Sequence, residues 1–141
     1  MTGYTESMSV EPVLDVLKRH PEVRLAYLFG SVALGTETGR SDLDLGVSFE
    51  PTPDALELDE LQAELERAAR RSVDLVDLRS APPLLSHHIV SRGKLLLSRD
   101  EDGRVALVTR VIAKYLDTKH LRDVQHAYLR ERAEARHAAS R

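Results

Sequence analysis

The stretch that most limits what this chain can become runs from Leu28 to Val47, LFGSVALGTETGRSDLDLGV. Gly30-Ser31 closes one apolar run, a small polar loop follows, and Asp42 and Asp44 stand one residue apart at the head of a second apolar run. The first run, VRLAYLFG (Val23 to Gly30), is nearly continuous apolar sequence, the pattern of a central strand buried on both faces. The second, DLDLGVSF (Asp42 to Phe49), predicts another strand. Strand side chains alternate, so Asp42 and Asp44 share one face while Leu43 and Leu45 take the other. Carboxylates in a core strand are costly unless something cationic meets them.

The rest of the pattern supplies the elements around that pair. Ser9 predicts a helix cap with Pro12 in the first turn, and the helix stops before Pro21. From Ala55 to Arg71, Leu58, Leu61 and Leu65 recur at helical spacing with charges between them, an amphipathic helix. SVDLVDL (Ser72 to Leu78) predicts a third strand, APPLLSHHIVSRG a short helix opened by proline and closed by Gly93, and KLLLS a fourth strand. From Arg104 the pattern is helical, and the polar last dozen residues are expected to fray or to need a partner. The order predicts an α+β fold, a small mixed sheet covered on one side by helices, with residues 1–103 as the core domain and 104–141 as a helical extension that packs on it or on a partner.

Composition removes several classes of function. With 141 residues, 42% hydrophobic and 30% charged, the chain reads as one compact soluble domain able to bury a core without staples. The absence of cysteine excludes disulfides and thiolate metal sites. Neither a leader pattern nor a membrane-length apolar run is present, so a cytoplasmic location and no membrane partner are expected. A net charge of -3 and 4% aromatics argue against a dedicated nucleic-acid binder.

Two like charges as close as Asp42 and Asp44 should not both stay ionised alone. Divalent cations resolve this: Mg²⁺ prefers hard oxygen ligands and is typically held by one or two carboxylates plus substrate phosphates. Two such ions make a clamp for in-line displacement at phosphorus. Gly30 lets backbone N–H groups approach a phosphate, Ser31 adds a hydroxyl donor and Arg40 a cation. Gly30, Gly35 and Thr36 echo a Walker A loop, but the lysine before Thr36 is missing, and there is no GxGxxG. The third predicted strand carries Asp74 and Asp77, which lie on opposite faces of a regular strand; periodicity does not choose between them. Adjacent His87 and His88 point about 100° apart on a helix and cannot share a metal. Tyr115 and Tyr128 are expected to pack a helix face.

Gly30-Ser31, ten residues, then Asp42-x-Asp44 resembles the signature of the DNA polymerase β-like nucleotidyltransferase superfamily. Within it the chain is most similar to the minimal MNT-domain antitoxins. YLFGSVALG, SDLDLGV, RSVDLVDLRSAPPLLSHHIVSRGKLLLSRD and YLDTKHLR all read like that group. The resemblance implies a polymerase β-like fold and transfer of AMP from ATP with two Mg²⁺ ions at Asp42, Asp44 and a third carboxylate. The family pattern places that third carboxylate directly after the first apolar residue of its strand, which favours Asp74. It also implies a protein acceptor, a tyrosine of a cognate HEPN-domain ribonuclease toxin, and a possible hetero-oligomer with it. Two rival readings are a small-molecule nucleotidyltransferase of the aminoglycoside-modifying type and an antitoxin that only binds. Arg132 and His137 echo the R-x4-6-H pattern of HEPN ribonucleases, but a short polar tail offers no helical bundle to carry it.

Overall fold

The computed structural model describes residues 10–30 and 42–139. Its elements run α1 (Glu11–Arg19), β1 (Val23–Phe29), β2 (Leu43–Phe49), α2 (Ala55–Ala69), β3 (Val73–Asp77), α3 (Pro83–Arg92), β4 (Lys94–Ser98) and α4 (Glu101–Ala139). The residue before α1 is Val10, which offers no side-chain cap; Ser9 lies outside the described residues. Helix α2 opens on a capping box: the Glu57 N–H donates to Asp54 at 2.8 Å and the Asp54 N–H to Glu57 at 3.0 Å. It ends earlier than its apolar pattern, because Arg70 turns into the left-handed region at φ 57°.

The four strands form one mixed sheet in the order β3-β2-β1-β4. β1 lies antiparallel to both β2 and β4, while β2 and β3 run parallel, joined across the sheet by α2. One face packs Leu43, Leu45 and Val47 of β2 against Val13 and Leu17 of α1 and Leu61 and Leu65 of α2. The other packs Leu25, Tyr27 and Phe29 of β1 against Ile89 of α3 and Leu107 and Val111 of α4. The sheet is therefore covered on both faces, not on one as the element order suggests. The reason lies in β1, which is apolar at both parities and cannot leave either face in water.

Arg99, just after β4, ties the sheet to α1. Its guanidinium donates to the carbonyls of Val23 at 2.7 Å, Lys18 at 2.8 Å and Leu17 at 3.1 Å, satisfying C-terminal carbonyls of the helix that would otherwise lack donors.

Helix α4 starts at Glu101, three residues before its apolar pattern. Glu101 anchors that first turn by accepting hydrogen bonds from Ser98 and Arg104 and by sitting at the positive end of the helix dipole. Nothing after Gly103 breaks the helix, since 104–139 contains neither glycine nor proline, so it continues through the polar segment expected to fray. Among the described residues no helix is long and apolar enough to cross a membrane.

Candidate active site

β2 enters the sheet between β1 and β3, and its first residues carry the aspartate pair. Asp44 stands opposite Phe29 on one neighbour and opposite Asp74 on the other. Asp42 precedes the strand and is exposed, while Asp44 is partly buried. Parallel in-register pairing puts Asp44 and Asp74 on the same face, because residues facing each other across two strands point the same way. Burial pushes the Asp44 carboxyl above its ordinary range, and the nearby charges of Asp74 and Asp42 push it further.

That register is enforced from outside the sheet. Val73, the residue before Asp74, donates its N–H to Glu66 at 3.0 Å and accepts from the Gln62 side chain at 3.0 Å. The Leu43 N–H donates to the Ser72 carbonyl at 2.9 Å. Edge strand β3 is thus pinned at its start by two side chains of α2, and Asp74 is held where the pin is. Sequence reasoning missed Gln62 and Glu66. Their signal was a polar i, i+4 pair bordering the Leu58, Leu61, Leu65 stripe.

Asp77 is used differently. It faces Val47, whose side chain lies in the α1/α2 core, on the side of the sheet away from Asp74. Its Oδ1 accepts the Arg79 N–H at 3.0 Å, and its carbonyl accepts from Ser80 and Ala81. It shapes the turn leaving the sheet and does not join Asp42 and Asp44.

Two glycines permit close approaches here. Gly30 has φ +77°, in the left-handed region, and a Cβ on it would overlap the Asp44 carboxylate. The end of β1 and the head of β2 therefore meet with nothing between them but that carboxylate. At Gly46 a Cβ would stand 2.8 Å from Ile89, so the missing side chain lets α3 settle onto β2 beside Asp44. Gly30→Ala is expected to lower stability by about 1–2 kcal/mol from the left-handed backbone alone and to displace Asp44. A thermal melt read beside a nucleotidyl-transfer assay checks it, and an unchanged pair of values would show that Gly30 is not needed.

Ser31 and Arg40, the expected phosphate ligands, lie outside the described residues. Among the described residues no three carboxylates or imidazoles close up tightly enough to hold a metal ion unaided. The donor set nevertheless fits a hard divalent cation that shares its shell with a phosphate: carboxylate oxygens only, with Asp44 held above its usual range by burial and then by its neighbours' charge. His87 does not act as a ligand; it stacks on Tyr115 at 3.7 Å and 11° between planes, with the Arg122 guanidinium 4.5 Å from the same ring. Tyr115 packs a helix face as expected. Tyr128 does not: it is 55% exposed, with Arg132 alongside its ring.

Comparison with known proteins supports the same reading of the fold. The family profile described as "Polymerase beta, Nucleotidyltransferase" matches residues 11–102. The chain is 37% identical over 125 residues to the protein adenylyltransferase MntA of Shewanella oneidensis, covering 88% of this chain and 87% of that protein. Among solved structures it is similar to a toxin-antitoxin crystallised with AMP-PNP, at a TM-score of 0.69 and 33% identity, covering 85% of this chain and 94% of that one. It is also similar to a chain in the complex of tri-AMPylated Shewanella oneidensis HEPN toxin with MNT antitoxin, at a TM-score of 0.63 and 30% identity over 84% of this chain and 91% of that one. The chain belongs to the polymerase beta nucleotidyltransferase family, and it is a nucleotidyltransferase.

Proposed function

We propose that this protein transfers AMP from ATP to a tyrosine hydroxyl of a HEPN-domain toxin and thereby silences it in the cytoplasm. The observation that carries the reading is the row formed by Asp44 and Asp74 across the β2–β3 pair, with Asp42 beside it and Gly30 pressed against it. The names of the similar proteins support the acceptor: one is a protein adenylyltransferase, and another is bound to a tri-AMPylated HEPN toxin.

Two Mg²⁺ ions, held by Asp42, Asp44 and Asp74, would neutralise the triphosphate and ease both attack and departure at the α-phosphorus. The chain does the rest by positioning. Gly30 leaves room for the triphosphate beside Asp44, and Ser31 and Arg40 donate to its oxygens. Asp74 is exposed on the edge strand, open to an arriving acceptor. It assists loss of the tyrosine proton as the phenolic oxygen attacks the α-phosphorus. The new O–P bond forms, the bond to the β-phosphate bridging oxygen breaks, and pyrophosphate leaves with that electron pair.

Residues 1–103 carry the groups of this chemistry, and 104–141 extend them as a helix whose Leu107 and Val111 complete the core. Leu116, Leu121, Val124 and Leu129 of that helix are exposed apolar residues, and they supply a surface on which the toxin docks to form a hetero-oligomer.

The test uses the full chain, the HEPN toxin of the same source and labelled ATP. Substoichiometric amounts are expected to silence the toxin, to leave AMP mass increments on one of its tyrosines, and to stop doing so in EDTA. One-to-one inhibition with no mass change, persisting in an Asp42/Asp44 double mutant, would instead establish an antitoxin that only binds. Label appearing on an aminoglycoside and not on the toxin would establish the small-molecule enzyme.

A further inference from the structure

At the end of the sheet away from the carboxylates, four arginines from separate parts of the chain line one groove. Arg24 comes from β1, Arg79 from the turn after β3, and Arg104 and Arg110 from α4. The groove encloses a cavity of about 110 Å³. Its floor includes Ser48, which is only 4% exposed and whose hydroxyl makes no side-chain hydrogen bond among the described residues. Ser48 lies four residues beyond Asp44 on β2, or about 13 Å at the rise of a strand.

These guanidiniums are unevenly occupied. Arg104 is committed to Glu101 at 2.8 Å. Arg79 reaches the exposed Glu50 only at 3.7 Å, and Arg24 donates to the Pro21 carbonyl at 3.4 Å. The Arg110 guanidinium makes no ion pair or hydrogen bond among the described residues. With Glu50 and Asp100 also on the lining and Glu101 holding Arg104, four positive charges meet three negative ones there, and Arg110 stands uncompensated, in a chain whose net charge is -3. A positive excess carried by weakly engaged guanidiniums beside a buried hydroxyl donor draws in an anion.

We propose that this groove is a second anion site, taking the di- or triphosphate group of a small molecule. A carboxylate has two oxygens and cannot serve donors arriving from β1, β2, the turn after β3 and α4 together. A diphosphate offers oxygens in several directions, and planar guanidinium forks match them two at a time. Occupation would bind α4 to the sheet by cancelling the repulsion among the arginines. The same chemistry is carried by free pyrophosphate and by the tail of a nucleotide. The site stands apart from the carboxylate cluster and does not rest on the catalytic reading.

The experiment titrates the full chain with sodium pyrophosphate in EDTA, where an uncompensated acidic cluster repels anions. Calorimetry and thermal melts are both read, with KCl at matched ionic strength as the control. Pyrophosphate is expected to bind saturably and to raise the melting temperature. Arg110→Ala, at an exposed helix position that leaves the fold intact by circular dichroism, should weaken binding at least tenfold. Arg79→Ala should do the same, and Arg110→Lys should lose part. ATP binding no tighter than pyrophosphate assigns the site to the phosphates alone, whereas tighter ATP binding with none for adenosine assigns it to a nucleotide tail. No saturable binding, a shift reproduced by KCl, or equal affinity in Arg110→Ala overturns the proposal. So does binding that Asp44→Asn strengthens while Arg110→Ala leaves it untouched, which would move the anion to the catalytic end.

Discussion

Asp44→Asn is expected to lower nucleotidyl transfer by about a thousandfold or more, or ~4 kcal/mol of transition-state stabilisation, while the metal-free protein melts no lower than the parent. Both effects follow from one environment. Asp44 is the most enclosed of the three carboxylates, and burial, Asp74 and Asp42 all oppose its charge. A cation bound there stabilises a charge that the fold by itself disfavours, so removing the carboxylate removes the reason for the cation to bind. The sign of the pH dependence is set by the same shift. A carboxyl whose folded pKa lies above its unfolded value of 3.8 holds more protons when folded. In EDTA, stability should therefore fall as pH rises from that value through the raised one, and Asp44→Asn should flatten this slope. Melting curves in EDTA across that range, run beside transfer assays with MgATP, provide the check. An active Asp44→Asn enzyme would remove the carboxylate row from the mechanism.

Asp74→Asn should cost two to three orders of magnitude in transfer, about 3–4 kcal/mol, whereas Asp77→Asn should retain most of it. The two residues are three apart on one short strand, yet only Asp74 faces Asp44 across the β2–β3 register. Asp77 points into the opposite layer and spends its carboxylate on the Arg79 N–H. Losing that hydrogen bond should show as a modest loss of stability, about 1 kcal/mol, with the chemistry intact. The contrast is sharpest when kcat and melting temperature are measured for both variants side by side. Asp74→Asn should change kcat with little change in melting temperature, and Asp77→Asn the reverse. The opposite ranking would assign the third carboxylate to Asp77.

Much of this was readable in the chain itself. The near-continuous apolar run of β1, the alternation in β2, the leucine stripe of α2 and the proline- and glycine-bounded α3 are local patterns. Each reflects how a side chain points relative to its own backbone. That is why Asp42 and Asp44 could be paired from spacing alone, and why the Gly30-Ser31 to Asp42-x-Asp44 signature carried a family resemblance that the comparisons support.

What spacing could not supply is register. The choice between Asp74 and Asp77 depends on which face of β3 meets Asp44, and that is a property of two strands and of the α2 side chains Gln62 and Glu66 that fix them. The second covered face, too, emerged only when α3 and α4 closed over Leu25, Tyr27 and Phe29. The arginine groove gathers Arg24, Arg79, Arg104 and Arg110 from three distant segments, none of which has a basic run of its own. Periodicity thus determined the elements and the aspartate pair, because it encodes direction within one element. Tertiary packing decided which aspartate of β3 faces Asp44 and which arginines meet at the distal groove, because both depend on how separate elements are placed against each other.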